Sequence, residues 1–196
     1  MKAKIHKHPT ATACMQFYPE DAVVPNELRV KEFLIRPLRV SDAEVDYAAV
    51  MDSKAMLRMM SQSTWPSDDF TLEMNRKDLA EHEQEHDERI AFTYTVLDPT
   101  ERICLGCVYL RHLKKGPMRG DHVAELRFWV RQQYLNQDFD KLLLKYLIDW
   151  LKHDWAFSYV ILSVAEDDKR QVRLATELSL RFVHVYENRW LEFIIK

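Results

Sequence analysis

The run FDKLLLKYLIDWLKHDW, residues 139–155, constrains the architecture more than any other stretch. Phe139, Leu143, Tyr146, Leu147 and Trp150 recur at helical spacing, with Lys141, Lys145 and Asp149 opposite, so one stripe of this helix must be buried. The segments around it supply the partner surface. AFTYTVL (91–97), RICLGCVYLR (102–111) and HVAELRFWVR (122–131) read as strands, the first two joined as a hairpin through DPTE. YVILSV (159–164) follows the helix as a buried strand. A strong helix set among strands implies an α/β (α+β) domain in which the sheet carries the core.

The flanks extend the pattern. EFLIRPLRV (32–40) reads as a strand, and SDAE (41–44) as a capping box, Ser41 with Glu44, that starts a helix running to Met60. STWPSDD breaks it, and a second helix covers Leu72–Glu88. DDKRQVRLATELSL (167–180) is a further helix, and RFVHVYENRWLEFII closes as a hairpin. The order is β-α-α-β-β-β-α-β-α-β-β. This predicts one mostly antiparallel twisted sheet of about seven strands with helices on both faces, spanning residues 31–196. Residues 1–30 show no period and are expected to be a loosely attached leader. No repeat or internal linker is present.

Composition removes some functions. The chain is 47% apolar and 30% charged with net charge −3, which gives no basic footprint for nucleic acid. No apolar run approaches the roughly 18–20 residues that span a membrane. The basic, polar start has no apolar signal region, and three cysteines do not make a disulfide framework, so a cytoplasmic protein is expected.

HEQEH, His82–His86, matches the H-E-x-x-H zinc-protease pattern letter for letter. Its context argues against that chemistry: NRKDLAEHEQEHDER is charged around most of the helix, and no third ligand follows in register. His86, with Leu72, Leu79 and Ile90, defines the apolar face, and His82 flanks it. CLGC (104–107) lies in a strand, where a separation of three puts Cys104 and Cys107 on opposite faces. No metal is expected at either motif.

The element order and several strings together resemble the GNAT superfamily of acyl-CoA-dependent N-acyltransferases. FLIRPLRVSDAE is similar to its opening strand and first helix, AELRFWVRQQY to its fourth strand, DDKRQVRLATELSLRF to its late helix, and WLEFII to its last strand. The resemblance implies acetyl-CoA or another acyl-CoA as co-substrate, with pantetheine between the fourth and fifth strands beside Phe128, Trp129 and Val130. Diphosphate would rest on the following loop and helix start, at Asn136, Gln137 and Lys141. It implies direct attack by a small-molecule or peptide amine, with Glu125 of AEL as the base. The late-helix position where the family often carries a tyrosine acid is Ala175; Tyr134 and Tyr186 are substitutes that spacing does not select. The 112–121 loop and the early helices would form the acceptor side, and an exposed edge strand would allow a homodimer.

The phosphate loop departs from the family. LNQDFDK (135–141) stands where R/Q-x-x-G-x-G/A is usual, so Asp138 and Asp140 bring bulk, charge and helix-capping oxygens to an anion site. Weak or atypical acyl-CoA binding is therefore expected. The alternative is a non-catalytic domain of the same fold that binds another ligand or a protein.

Overall fold

The computed structural model describes residues 15–113, 115–186 and 189–196, without the Tyr186 side chain. The first 14 residues of the expected leader, including Cys14, lie outside them. Among the described residues, eight strands form one sheet in the order β1-β2-β3-β4-β5-β6-β8-β7. They are β1 (Leu28–Arg29), β2 (Leu34–Pro37), β3 (Ala91–Leu97), β4 (Cys104–His112), β5 (Val123–Val130), β6 (Tyr159–Ala165), β7 (Arg181–Tyr186) and β8 (Trp190–Ile194). All neighbours are antiparallel except β5 and β6, which are parallel, as a helical crossover requires.

The helices are α1 (Ala43–Asp52), α2 (Lys54–Ser61), α3 (Leu72–Asp87), α4 (Phe139–His153) and α5 (Lys169–Glu177). The stripe read from sequence is the one buried: Leu143, Leu147 and Trp150 of α4, with Leu144 and Leu151, pack on Val108, Leu126, Leu162 and their neighbours. Each such side chain contributes roughly 1.5–3 kcal/mol when fully buried. The α1–α2 pair packs through Ala49, Val50 and Leu57 with Leu97, Cys104, Cys107 and Trp129.

Three expectations are corrected. Residues 15–30 are attached: Phe17 and Tyr18 are core residues, and β1 adds an eighth strand. The helix drawn from Asp42 to Met60 is a 3-10 turn (Val40–Asp42), α1 and α2, interrupted at Ser53. Its start is not capped by Ser41 and Glu44. Chain entry falls two residues earlier, so Asp42 Oδ2 accepts the Arg39 amide at 2.9 Å while Glu44 pairs with Arg76.

The third correction is the facing of the cysteines. Val96 pairs with Gly106 but Leu97 pairs with Cys104, leaving Leu105 as an extra residue. This bulge shifts the alternation by one, so Cys104 and Cys107 both turn toward α1. Gly106 makes the bulge possible. Its φ is +158°, and a Cβ there would sit 2.0 Å from the Trp129 carbonyl oxygen.

Candidate active site

β5 and β6 are paired only from Val123–Tyr159 to Leu126–Leu162. Beyond that point β5 continues with β4 and β6 continues with β8, so the two strands part. A cavity of about 440 Å³ occupies the split and runs under α1–α3. Alternation along β5 places Glu125, Arg127 and Trp129 on its wall, and Ser163 and Ala165 of β6 face them.

Glu125 is held by its neighbour two residues on. Arg127 Nε and Nη2 both donate to Glu125 Oε1, at 3.0 and 2.8 Å. The Arg127 guanidinium lies 3.9 Å from the Trp190 ring centroid, which fixes it from the other side. Tyr109 of β4 also lines the cavity, and Trp129 Nε1 donates to its hydroxyl oxygen at 3.1 Å. With that lone pair engaged, the phenolic proton is directed elsewhere. Burial, first, and the neighbouring Cys107 and Asp46 push the Tyr109 phenol well above its usual range, so it stays protonated at neutral pH.

One end of the cavity is lined by the early helices. Asp46, 3% exposed, accepts from Asn75 Nδ2 at 2.9 Å, and burial raises its carboxyl to about 6. Trp65 lines the cavity with its Nε1 donating to Asp78 Oδ2 at 3.3 Å. Phe70 and Tyr94 are buried, Tyr94 fully.

The other end meets the loop after β5. Phe128 is buried, and its carbonyl, on the parted edge, accepts from Gln171 Nε2 of α5 at 2.9 Å. Trp129 and Val130 complete the strand. The chain then turns through Gln132–Gln137 into α4, and Asp138 has φ 53° and ψ 29°. That is the left-handed region glycine favours, and aspartate is among the few other residues that adopt it. The path expected of a glycine is thus kept by a residue with a side chain.

The anticipated charge clash is also altered. Asp138 makes no cap to the first amides of α4. Instead Arg170 of α5 bonds both oxygens of Asp140, Nε to Oδ2 at 2.5 Å and Nη2 to Oδ1 at 2.7 Å. It also donates to Asp138 Oδ1 at 3.1 Å and to the Leu135 carbonyl at 2.7 Å. Asp140 is only 3% exposed, so its charge is spent inside the protein. Asn136 borders a shallow second cleft with Arg170, Gln132 and Gln133. Lys141, placed by sequence at the phosphates, pairs with Glu177 at 2.7 Å, and Arg131 pairs with Asp52. Gln137 is the last residue of the 3-10 turn.

The structure gives the other motif residues structural partners. Glu83 of HEQEH accepts the Val40 amide at 2.8 Å and contacts Arg39 at 3.2 Å, which ties α3 to the start of α1. His86 is buried with its ring 5.2 and 5.1 Å from those of Phe92 and Tyr94, while His82 faces the cavity beside Tyr109. Ile90 is exposed and does not extend the apolar face. Tyr134 packs on Phe139, Ala175 is buried in the core, and the Tyr186 side chain lies outside the described residues. Sequence reading missed Tyr109, Asp46, Arg170 and Gln171. Only the arginine and glutamine lay in a string read for the family, and nothing local marked their partners.

The sequence profile of the acetyltransferase (GNAT) domain family matches residues 32–181. No curated protein matches in sequence. Among solved structures, the ribosomal-protein-S5-alanine acetyltransferase from Vibrio fischeri is 18% identical with a TM-score of 0.64, covering 87% of this chain and 94% of that one. RimJ of Mycobacterium smegmatis in complex with CoA-disulfide is 11% identical, TM-score 0.69, covering 86% and 85%. RimL, described as a ribosomal L7/L12 alpha-N-protein acetyltransferase in complex with coenzyme A, is 14% identical, TM-score 0.67, covering 86% and 96%. At these identities the likeness is one of fold. Among the described residues, no helix is long and apolar enough to cross a membrane.

Proposed function

The chain belongs to the GNAT acetyltransferase family, and on that premise we propose that it transfers an acyl group from an acyl-CoA, acetyl-CoA first, to an amine. The observation that carries this reading is the parting of β5 and β6 over a cavity whose wall presents Glu125. The co-substrate supplies a thioester carbonyl that a neutral amine can attack directly. Glu125 accepts the proton the amine must shed, directly or through a water, while Arg127 and Trp190 hold it in place. Tyr109 Oη keeps a proton at neutral pH and takes the acid's place that Ala175 leaves empty. Asp78, Glu125 and Asp168 against Arg111 and Arg127 give the cavity wall an acidic balance, which favours an acceptor that arrives as an ammonium ion.

The chain's own groups fit the rest of acyl-CoA. The first amides of α4, uncapped by Asp138, point where a helix favours an anion, and Arg170 screens the two aspartates. Pantetheine amides would bond the free edge of β5 at Phe128–Val130, beside the Asn136–Gln137 turn. Lys141 serves as a more distant cation once it leaves Glu177.

One observation favours the non-catalytic alternative: Gln171 already occupies the Phe128 carbonyl. A pantetheine amide must displace it. Calorimetric titration with acetyl-CoA and an assay of thiol release against a panel of small amines and peptide N-termini decide between the two. Low-micromolar binding with amine-dependent thiol release is expected. No binding by the wild type or by Gln171→Ala would leave the binding-module reading standing. Because a hydrogen bond contributes about 0.5–1.5 kcal/mol net, Gln171→Ala should tighten acetyl-CoA by roughly two- to tenfold. Looser binding would mean that Gln171 contacts the co-substrate.

A further inference from the structure

Three ligand-type side chains with no part in the acyl transfer meet beneath the bulge of β4. Asp46 Oδ1 lies 3.4 Å from Cys107 Sγ and 4.0 Å from Cys104 Sγ, and all three groups are buried. Their ligand atoms all fall within 4.8 Å of one another. Zinc bonds of about 2.3 Å to sulfur and 2.0–2.2 Å to carboxylate oxygen put tetrahedral neighbours roughly 3.5–3.8 Å apart. The two oxygen–sulfur edges need shifts of only tenths of an ångström to reach that geometry.

The surroundings orient these atoms as an outer shell does. Asn75, 1% exposed, donates from Nδ2 to Asp46 Oδ2 at 2.9 Å and to the Ala43 carbonyl at 3.2 Å, which leaves Oδ1 turned to the sulfurs. Thr95 Oγ1 lies 3.8 Å from Cys104 Sγ. The convergence is built at a cost in backbone freedom, since only the Gly106 bulge brings cysteines three apart onto one face. Asp46 also borders the cavity.

We infer that Asp46, Cys104 and Cys107 bind a thiophilic divalent cation, Zn²⁺ by the character of the donors, with a fourth position open to the cavity for water or a ligand atom. Two thiolates and one carboxylate are a soft, anionic set suited to zinc rather than to Mg²⁺ or Ca²⁺. The ion would pin α1 to the bulged strand. This departs from the sequence expectation of no metal, and it places the site at CLGC rather than at HEQEH, whose Glu83 is engaged with Val40 and Arg39.

The test uses the full chain, purified under reducing conditions, stripped with a chelator and titrated with Co²⁺, then with Zn²⁺ in competition. One equivalent of Co²⁺ should give sulfur-to-cobalt charge-transfer absorption of two-thiolate intensity and the strong visible bands of tetrahedral cobalt, both erased by Zn²⁺. Cys104→Ser should halve the charge-transfer intensity, and Asp46→Asn should keep it; each should weaken binding by about 100-fold or more. His82→Ala with His86→Ala should leave stoichiometry unchanged. If either ligand variant fails to fold by circular dichroism, the wild-type cobalt spectrum still counts the thiolates. No stoichiometric uptake, a spectrum without sulfur bands, uptake that depends on His82 and His86, or a native Cys104–Cys107 disulfide found by mass spectrometry would each overturn the inference.

Discussion

Glu125→Gln lowers turnover with an amine acceptor by about 10²–10⁴, the usual contribution of a positioned general base. The side chain keeps its shape, and Gln Oε1 can still accept from Arg127, so folding and acetyl-CoA affinity should change little. What disappears is the basicity at the cavity wall where the ammonium proton must go. The loss should therefore appear in kcat at saturating acetyl-CoA. It should shrink for acceptors that are already neutral at the assay pH. Steady-state rates for wild type and variant across a series of amines of falling basicity provide the measurement. Equal rates for both proteins throughout would remove Glu125 from the mechanism and direct attention to another group on the wall.

Arg170→Ala destabilises the protein by about 2–3 kcal/mol. Removing one partner of a buried ion pair costs roughly 3–5 kcal/mol, and the 29% exposure of the Arg170 side chain reduces that. Asp140 would be left with a buried carboxylate and no guanidinium, and the Leu135 carbonyl would keep only the Asp138 amide as a donor. The urea midpoint reads the loss. Adding Asp140→Leu to Arg170→Met should recover most of it, because no unpaired charge then remains buried. Arg170→Ala should also weaken acetyl-CoA by about ten- to a hundredfold. An unopposed carboxylate about 5 Å from a phosphate charge repels by roughly 3 kcal/mol at an effective dielectric near 20, and salt should ease part of this. By contrast, Asp138→Gly relieves a left-handed aspartate and removes an exposed charge, so it should bind acetyl-CoA a few times more tightly. Full stability and unchanged affinity in Arg170→Ala would show that the arginine is a surface ornament of the loop.

These two outcomes separate what was legible from what was not. The amphipathic stripe of α4, the strand run 91–130 and the buried strand 159–164 declared themselves because burial imposes a period on neighbouring residues. Glu125 was singled out by the resemblance of AEL to the family's fourth strand, and alternation added only that it shares a face with Arg127 and Trp129. Local pattern failed wherever the partner was distant in sequence. Asp138 and Asp140 read as an anionic barrier, since Arg170 lies 30 residues past Asp140 and only the packing of α5 on the loop brings them together. Gln171 reaches Phe128 across 43 residues for the same reason.

The cysteines show the sharper limit. Strict alternation puts Cys104 and Cys107 on opposite faces, and a single inserted residue at Leu105 reverses that. A bulge is chosen by the register of neighbouring strands and by the close approach of the Trp129 carbonyl to Gly106, neither of which is written in CLGC. The sequence by itself determined the period of the regular elements, the stripe of α4 and the strands around it above all. The tertiary structure decided which distant charges neutralise one another and which faces meet, because both depend on contacts that cross the sheet rather than run along the chain.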